Sequence, residues 1–260
     1  MKTSSILFLC ALHFVLGTVT PSLAQTREDK FVGSEPVINS RIWESMKEPT
    51  PAQQQIARIL RIASKMQYVN DVMAVKESGL IYVTNLADLD YLSTFTVSNP
   101  SDGYRMATGD FIARHVGTYI RTRADIPALM KLTGRVETVP QAMACKWAGL
   151  KVATTAATFL QILPFAVASP SEAYQTMVGA FVAQNISRVL GPKSSIKVIL
   201  KIESYSVLVS EAMAVKNAGL VAVKTKEDLL SLADFAFESP SSAYQEAIRE
   251  FIRNNISRFP

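Results

Sequence analysis

The chain repeats itself at a spacing of seventy residues, and no other feature restricts its fold so strongly. Val72-Met73-Ala74-Val75-Lys76 returns as Ala142-Met143-Ala144-Cys145-Lys146 and again as Ala212-Met213-Ala214-Val215-Lys216. Each segment is followed at the same offset by Gly-Leu, at 79–80, 149–150 and 219–220. Asn99-Pro100-Ser101 becomes Ser169-Pro170-Ser171 and Ser239-Pro240-Ser241, with Tyr104, Tyr174 and Tyr244 and then Phe111, Phe181 and Phe251 beyond. A sequence of this kind is expected to fold as one supersecondary unit made three times, each copy covering a hydrophobic face of its neighbour. The units are read as 54–124, 125–194 and 195–260, after an N-terminal arm at 25–53.

Within a unit the apolar spacing predicts three helices and an all-α protein, a helical bundle or short solenoid. The first helix is expected over 54–78, 126–148 and 196–218, ending where Gly79, Gly149 or Gly219 could adopt the left-handed conformation of a C-cap. Only in the middle unit does a proline, Pro140, predict a kink or split. The second helix, about a dozen residues, is expected to start at the N-caps Asn85, Thr155 and Thr225, with Asp88 and Asp228 three residues on in the outer units. The third is expected to start at Asn99, Ser169 or Ser239 as cap with proline in the first helical position, Ser169 and Glu172 having capping-box spacing. Along it Tyr104, Thr108, Phe111, Ile112 and Val116 recur as Tyr174, Val178, Phe181, Val182 and Ile186, then as Tyr244, Ile248, Phe251, Ile252 and Ile256. Spacings of three, four and one put these on a single stripe, which is expected to be core.

Lys2 precedes an apolar run at 6–16, and Ser22 and Ala24 supply the small residues of a signal-peptidase site. Residues 1–24 therefore read as a secretory signal peptide, too short in its apolar part to span a bilayer, and no later run predicts a membrane span. Cleavage would remove Cys10 and His13, leaving Cys145 and His115 as the remaining cysteine and histidine. One of each cannot assemble a Cys/His zinc site, and one thiol cannot close an intramolecular disulfide. With 48% apolar residues the core is expected to stand without such staples, since a domain of roughly 200 residues buries about 70% of its unfolded surface.

A residue that carries chemistry should break the repeat, whereas a packing residue should obey it. Cys145 stands where Val75 and Val215 stand, which reads as a buried small hydrophobe, with a reactive or intermolecular thiol as the alternative. His115 takes the place of Asn185 and Asn255 on the polar side of the third helix, and no nucleophile elbow accompanies it. Lys76, Lys146 and Lys216 recur near the end of the first helix, where the helix dipole accounts for them and a spaced row of anion sites is the sharper alternative. Asp88, Asp90, Glu227 and Asp228 read as acids near a helix start. The sequence has no glycine-rich phosphate loop, HExxH pair or calcium loop, so no catalytic residue, cofactor or metal site is expected. The net charge of +5 is spread singly with acids interleaved, which argues against nucleic acid as a partner. Asn185-Ile186-Ser187 and Asn255-Ile256-Ser257 are sequons that could carry glycans in a eukaryotic secretory pathway, or could be inherited copies of one helix sequence.

The Ala-Gln close of the leader, Trp43-Glu44-Ser45, the Met-Ala segment Ser210-Glu211-Ala212-Met213-Ala214-Val215, Ser239-Pro240-Ser241-Ser242-Ala243 and the closing Phe251-Ile252, Ile256 and Phe259 resemble the small helical terminal domains of spider silk proteins. That resemblance implies an extracellular helical protein that self-associates during storage or assembly of a material. The expectation is accordingly a secreted, non-enzymatic helical repeat protein that binds copies of itself or another extracellular protein. A secreted carrier with an apolar ligand between its helices is the alternative, suggested by paired large and small side chains such as Met73 and Ala74.

Overall fold

In a computed structural model, residues 49–238 and 240–260 are described; the expected signal peptide at 1–24, Cys10, His13, Trp43 and nearly all of the expected arm lie outside them. The described residues form twelve α-helices and no strand. These are α1 (Pro51–Ala63), α2 (Val69–Gly79), α3 (Leu86–Leu92), α4 (Asp102–Tyr119), α5 (Ile126–Thr133), α6 (Val139–Leu150), α7 (Ala156–Ile162), α8 (Glu172–Asn185), α9 (Ile196–Glu203), α10 (Val209–Gly219), α11 (Lys226–Ala233) and α12 (Ser242–Asn255). Each seventy-residue stretch thus holds four helices rather than three, because the expected long first helix is divided every time. The divided pairs α1/α2, α5/α6 and α9/α10 fold back on themselves.

Pro140 does not cause the division, since α1/α2 and α9/α10 divide without a proline. What makes it possible is a new N-terminus whose orphan donors find partners. Gln141 Oε1 accepts from the backbone N–H of Glu137 and Thr138 at 2.9 and 3.1 Å. Glu211 Oε2 accepts from Val207 and Leu208 at 2.8 and 3.0 Å. Apolar periodicity continues across the break and so conceals it from the sequence.

Caps fix the remaining boundaries. Asn85, Thr155 and Thr225 accept from the backbone N–H three residues on, starting the short α3, α7 and α11, which are seven or eight residues long instead of a dozen. The longer α4, α8 and α12 start two residues later than expected. Ser101, Ser171 and Ser241 are their caps, receiving the N–H of Tyr104, Tyr174 and Tyr244 at 3.2, 3.3 and 3.2 Å. Asn99 and Ser169 lie outside the helices, and Ser239 outside the described residues. A proline just before the cap sets extended backbone there, and its carbonyl is used: Gln175 and Gln245 donate to the carbonyls of Pro170 and Pro240.

The helices pack as a two-layered row. In one layer α1, α3, α5, α7, α9 and α11 follow one another, each against the next, and in the other α2, α4, α6, α8, α10 and α12 do the same. The stripe of α4 and α8 is buried along its whole length, from Tyr104 to Val116 and from Tyr174 to Ile186. On α12, Tyr244, Ile248 and Phe251 are buried, while Ile252 and Ile256 stay half-exposed.

Gly79 and Gly219 are not left-handed caps: their φ values are −77° and −65°, and no positive φ occurs among the described residues. Close helix approach explains them. A Cβ on Gly149 would lie 2.7 Å from Leu129 Cδ2 and 2.9 Å from Ile162 Cγ2, and one on Gly219 would lie 2.9 Å from Leu232 Cδ1. Gly149→Ala should therefore overpack the crossing of α5, α6 and α7 and lower unfolding free energy by about 1–3 kcal/mol. Gly191→Ala, with nothing within 4 Å of the added carbon, should stay within about 0.5 kcal/mol of the parent. Urea denaturation of both variants checks the contrast.

Candidate functional site

The residues with the strongest chemical character are the three recurring lysines, and all three are buried. Each leaves its own helix and reaches the C-terminus of the next, where carbonyls lack intrahelical partners. Lys76 Nζ donates to the Thr94 carbonyl just past α3 at 2.8 Å. Lys146 Nζ donates to Ile162, Leu163 and Pro164 past α7, each at 2.9 Å. Lys216 Nζ donates to Leu232 in the last turn of α11 and to Asp234 just past it, at 2.7 and 2.8 Å. Lys76 and Lys146 also lie over the rings of Tyr104 and Tyr174, at 5.0 and 5.7 Å from their centroids. The dipole explanation survives with a different helix as its object, and an ammonium enclosed among carbonyls and a tyrosine face has no room to bind solution anions.

The third lysine carries a further partner. Lys216 Nζ lies 2.7 Å from Glu203 Oε2, both side chains fully buried, and Glu203 Oε1 accepts from the Tyr244 hydroxyl. Positions 63 and 133, equivalent to Glu203, hold Ala and Thr, so this triad belongs to the last unit alone. Burial pushes the Glu203 carboxyl up, opposed by Lys216, and pushes Lys216 down, opposed by Glu203. Tyr244 is raised by burial and by its bond to Glu203.

Cys145 is a free thiol, fully buried, and burial pushes it up to about 11. It packs as the small hydrophobe that Val75 and Val215 are, out of reach of a partner thiol. His115 Nε2 sits 3.0 Å from Glu77 Oε2, and Arg114 Nη2 sits 2.8 Å from Glu77 Oε1 on the same carboxylate. Among the described residues no serine hydroxyl is hydrogen-bonded to this pair. Asn185 and Asn255 are buried, and the amide nitrogens that would carry a glycan donate to the carbonyls of Phe181 and Phe251 at 2.8 Å. Their Oδ1 atoms accept from Arg188 and Arg258, so both amides serve the turn that ends α8 and α12. A glycan could be added there only to an unfolded chain.

Asp90 is legible in the sequence only as an acid near a helix start. It is a bridge between α3 and α5, 2.6 Å from Lys131 Nζ and 2.8 Å from Arg135 Nη2. Asp88, by contrast, does serve the start of α3, accepting from the Thr84 N–H and hydroxyl at 3.0 and 2.6 Å. Among the described residues no group of three or more His, Cys, Asp or Glu is placed to hold a metal ion. Met73 and Met143 are buried and Met213 packs against the same core. A cleft of about 590 Å³ lies between the start of α7 and the turn before α9, lined by Thr154, Ala157, Leu190, Pro192 and Val198 among others, and it opens to solvent.

No helix of the described residues is long and apolar enough to cross a membrane. The chain matches no protein family, and comparison with curated proteins and with solved structures found no match.

Two consequences of the lysines can be measured. Lys216→Met leaves Glu203 buried without its cation and should cost about 3–5 kcal/mol, a good part of which Glu203→Gln in the same chain should restore; denaturant midpoints of the single and double variants decide it. Burial, with Arg135 adding to it, lowers Lys76 to about 7 from its usual 10.5. For a base lowered on folding, the unfolded chain holds the extra proton between those values, so the stability this lysine contributes rises with pH across that window. The difference in unfolding free energy between wild type and Lys76→Met should grow by on the order of 1 kcal/mol per pH unit from pH 7 towards 10.

Proposed function

We propose that this protein is a secreted, non-enzymatic scaffold of three tandem seventy-residue helical units whose role is to assemble with copies of itself into an extracellular material. One observation carries the reading: the same kind of helix junction is made twice within the chain, with a long polar side chain lying over a glycine at the same register. In the first, α4 packs on α6 and Gln141 lies over Gly109; in the second, α8 packs on α10 and Glu211 lies over Gly179. A surface able to join one unit to the next is the element that assembly needs.

The fate of the ionisable groups supports a scaffold over an enzyme. Lys76, Lys146, Lys216, Glu203 and Asp90 are each occupied in holding one helix to another, and His115 has Glu77 as its partner without a nucleophile beside it. The leader-like segment at 1–24 and the resemblance to silk-protein terminal domains supply the extracellular setting. The repeat spacing, the recurring lysine contacts and the recurring caps support three related units in a short solenoid.

Light scattering of the chain after removal of residues 1–24, over a wide concentration range and at two salt concentrations, should report a molecular weight that grows with concentration. A molecular weight fixed at that of one chain throughout would overturn the proposal.

A further inference from the structure

Among the described residues, the two ends of the row leave unpartnered the surfaces that the internal junctions cover. On α2, Asp71 occupies the position of Gln141 and Glu211, and Ala74 and Ser78 follow one and two turns on. All three are exposed, while Gln141 and Glu211 are buried beneath α4 and α8, and Ala148, the counterpart of Ser78, is buried too. Ile81, just past α2, is 79% exposed. On α12, Arg249 occupies the position of Gly109 and Gly179, with Arg253 one turn on where Ala113 and Ala183 stand. Both arginines are exposed, and beside them Ile252 and Ile256 are half-exposed where Ile112, Val116, Val182 and Ile186 are buried.

The other layer ends in the same way. Ile62 on α1 is 48% exposed, whereas its counterparts Leu132 and Ile202 are 0% exposed. At the far end Leu230 on α11 is 50% exposed in the position of Asp90. Its partners by the internal register are Arg61 and Lys65, standing where Lys131 and Arg135 meet Asp90, and their aliphatic stems can cover a leucine.

These two ends fit each other. Inside the chain a glycine faces a long acid or amide: a Cβ on Gly109 would fall 2.2 Å from Gln141 Oε1, and one on Gly179 would fall 2.2 Å from Glu211 Oε2. At the ends both partners change together, since the glycine becomes the long cation Arg249 and the long Gln or Glu becomes the short anion Asp71. Total length is kept, and a charge pair is gained. Glu250 neighbours the junction in the position of Asp110, and Arg253 offsets it from the following turn. Among the described residues neither side chain meets a neighbouring unit: Arg249 Nη1 pairs along its own helix with Glu246 Oε2 at 3.1 Å, and Asp71 sits in the first turn of α2.

We propose that copies of this chain join head to tail, α12 of one seating on α2 of the next with Arg249 paired to Asp71 and Leu230 over Arg61 and Lys65. The inference rests on the self-association put forward above and names its interface. Because the two surfaces differ, the contact is heterologous and the row continues from chain to chain without closing, which gives a filament.

The test compares Asp71→Arg, Arg249→Asp and their equimolar mixture with wild type by sedimentation velocity. Both residues are exposed, so both variants should fold, as far-UV circular dichroism will verify. Each alone sets like charges face to face and should associate roughly tenfold more weakly or worse. In the mixture the head of the Asp71→Arg chain meets the tail of the Arg249→Asp chain with the charges exchanged, and the wild-type pair forms at the alternate junctions, so assembly should return. Wild-type assembly that neither substitution weakens would overturn this interface while leaving self-association intact. A wild-type chain that stays monomeric at every concentration overturns both, and strong hydrogen-exchange protection of 71–78 in that monomer would assign the face to residues 25–48 of the same chain.

Discussion

A lysine side-chain nitrogen buried against the carbonyls that end a neighbouring helix is the contact on which the architecture depends. The helices that receive it, α3, α7 and α11, have only seven or eight residues, too few to persist on their own. Their last carbonyls point into the interior, where water cannot satisfy them, so they need donors from elsewhere in the chain. Lys76, Lys146 and Lys216 provide those donors and at the same time fix the angle between the second and third helices of each unit. The tyrosines that follow, Tyr104, Tyr174 and Tyr244, close the same enclosure from the fourth helix. Each of the three lysines therefore marks a polar centre on which neighbouring helices converge.

The three centres are chemically unequal although their geometry is shared. The first holds a lysine under an aromatic ring; the second adds a carbonyl cluster and a buried thiol one residue away; the third replaces the ring contact with a carboxylate and a tyrosine hydroxyl. Such drift is expected where a position must supply a cation to carbonyls but the remaining space has to be filled by whatever packs. The same tolerance separates the junctions, where Asp90 binds Lys131 and Arg135 between the first two units and Leu160 stands in its place between the second and third. Shape is retained at these positions while polarity is exchanged.

Much of this is legible from spacing. The stripe from Tyr104 to Val116 and its copy from Tyr174 to Ile186 lie in the core, Asn85, Thr155 and Thr225 are caps, and the all-α class follows from the apolar period; in the last copy only Tyr244, Ile248 and Phe251 are buried. Cys145 obeys the repeat and is buried as an obedient residue should be. The breaks before α2 and α10 are not legible, because a helix-period pattern runs through them; at α10 the residue that satisfies the new N-terminus, Glu211, acts from three and four positions downstream. The glycine at 79, 149 and 219 stands out in the sequence but reads there as a backbone requirement; its cause lies in side chains at positions such as Leu129, Ile162 and Leu232, remote in sequence. Asp90 escapes a linear reading for the same reason, its partners being more than forty residues away.

By itself the sequence determined the all-α class, most of the helical faces that pack inward, the starts of the short helices and the absence of the motifs that metal or nucleophilic chemistry requires. These properties are local or recur at a fixed offset, so one linear string contains them. Only the tertiary structure decided that the recurring lysines are buried and aimed at another helix, that the sequon amides are spent on their own turns, and that Asp71 and Arg249 stand exposed at opposite ends of the described row. Each of those depends on which surfaces meet in three dimensions, and a lysine in a buried centre is spelled like one on a solvated face.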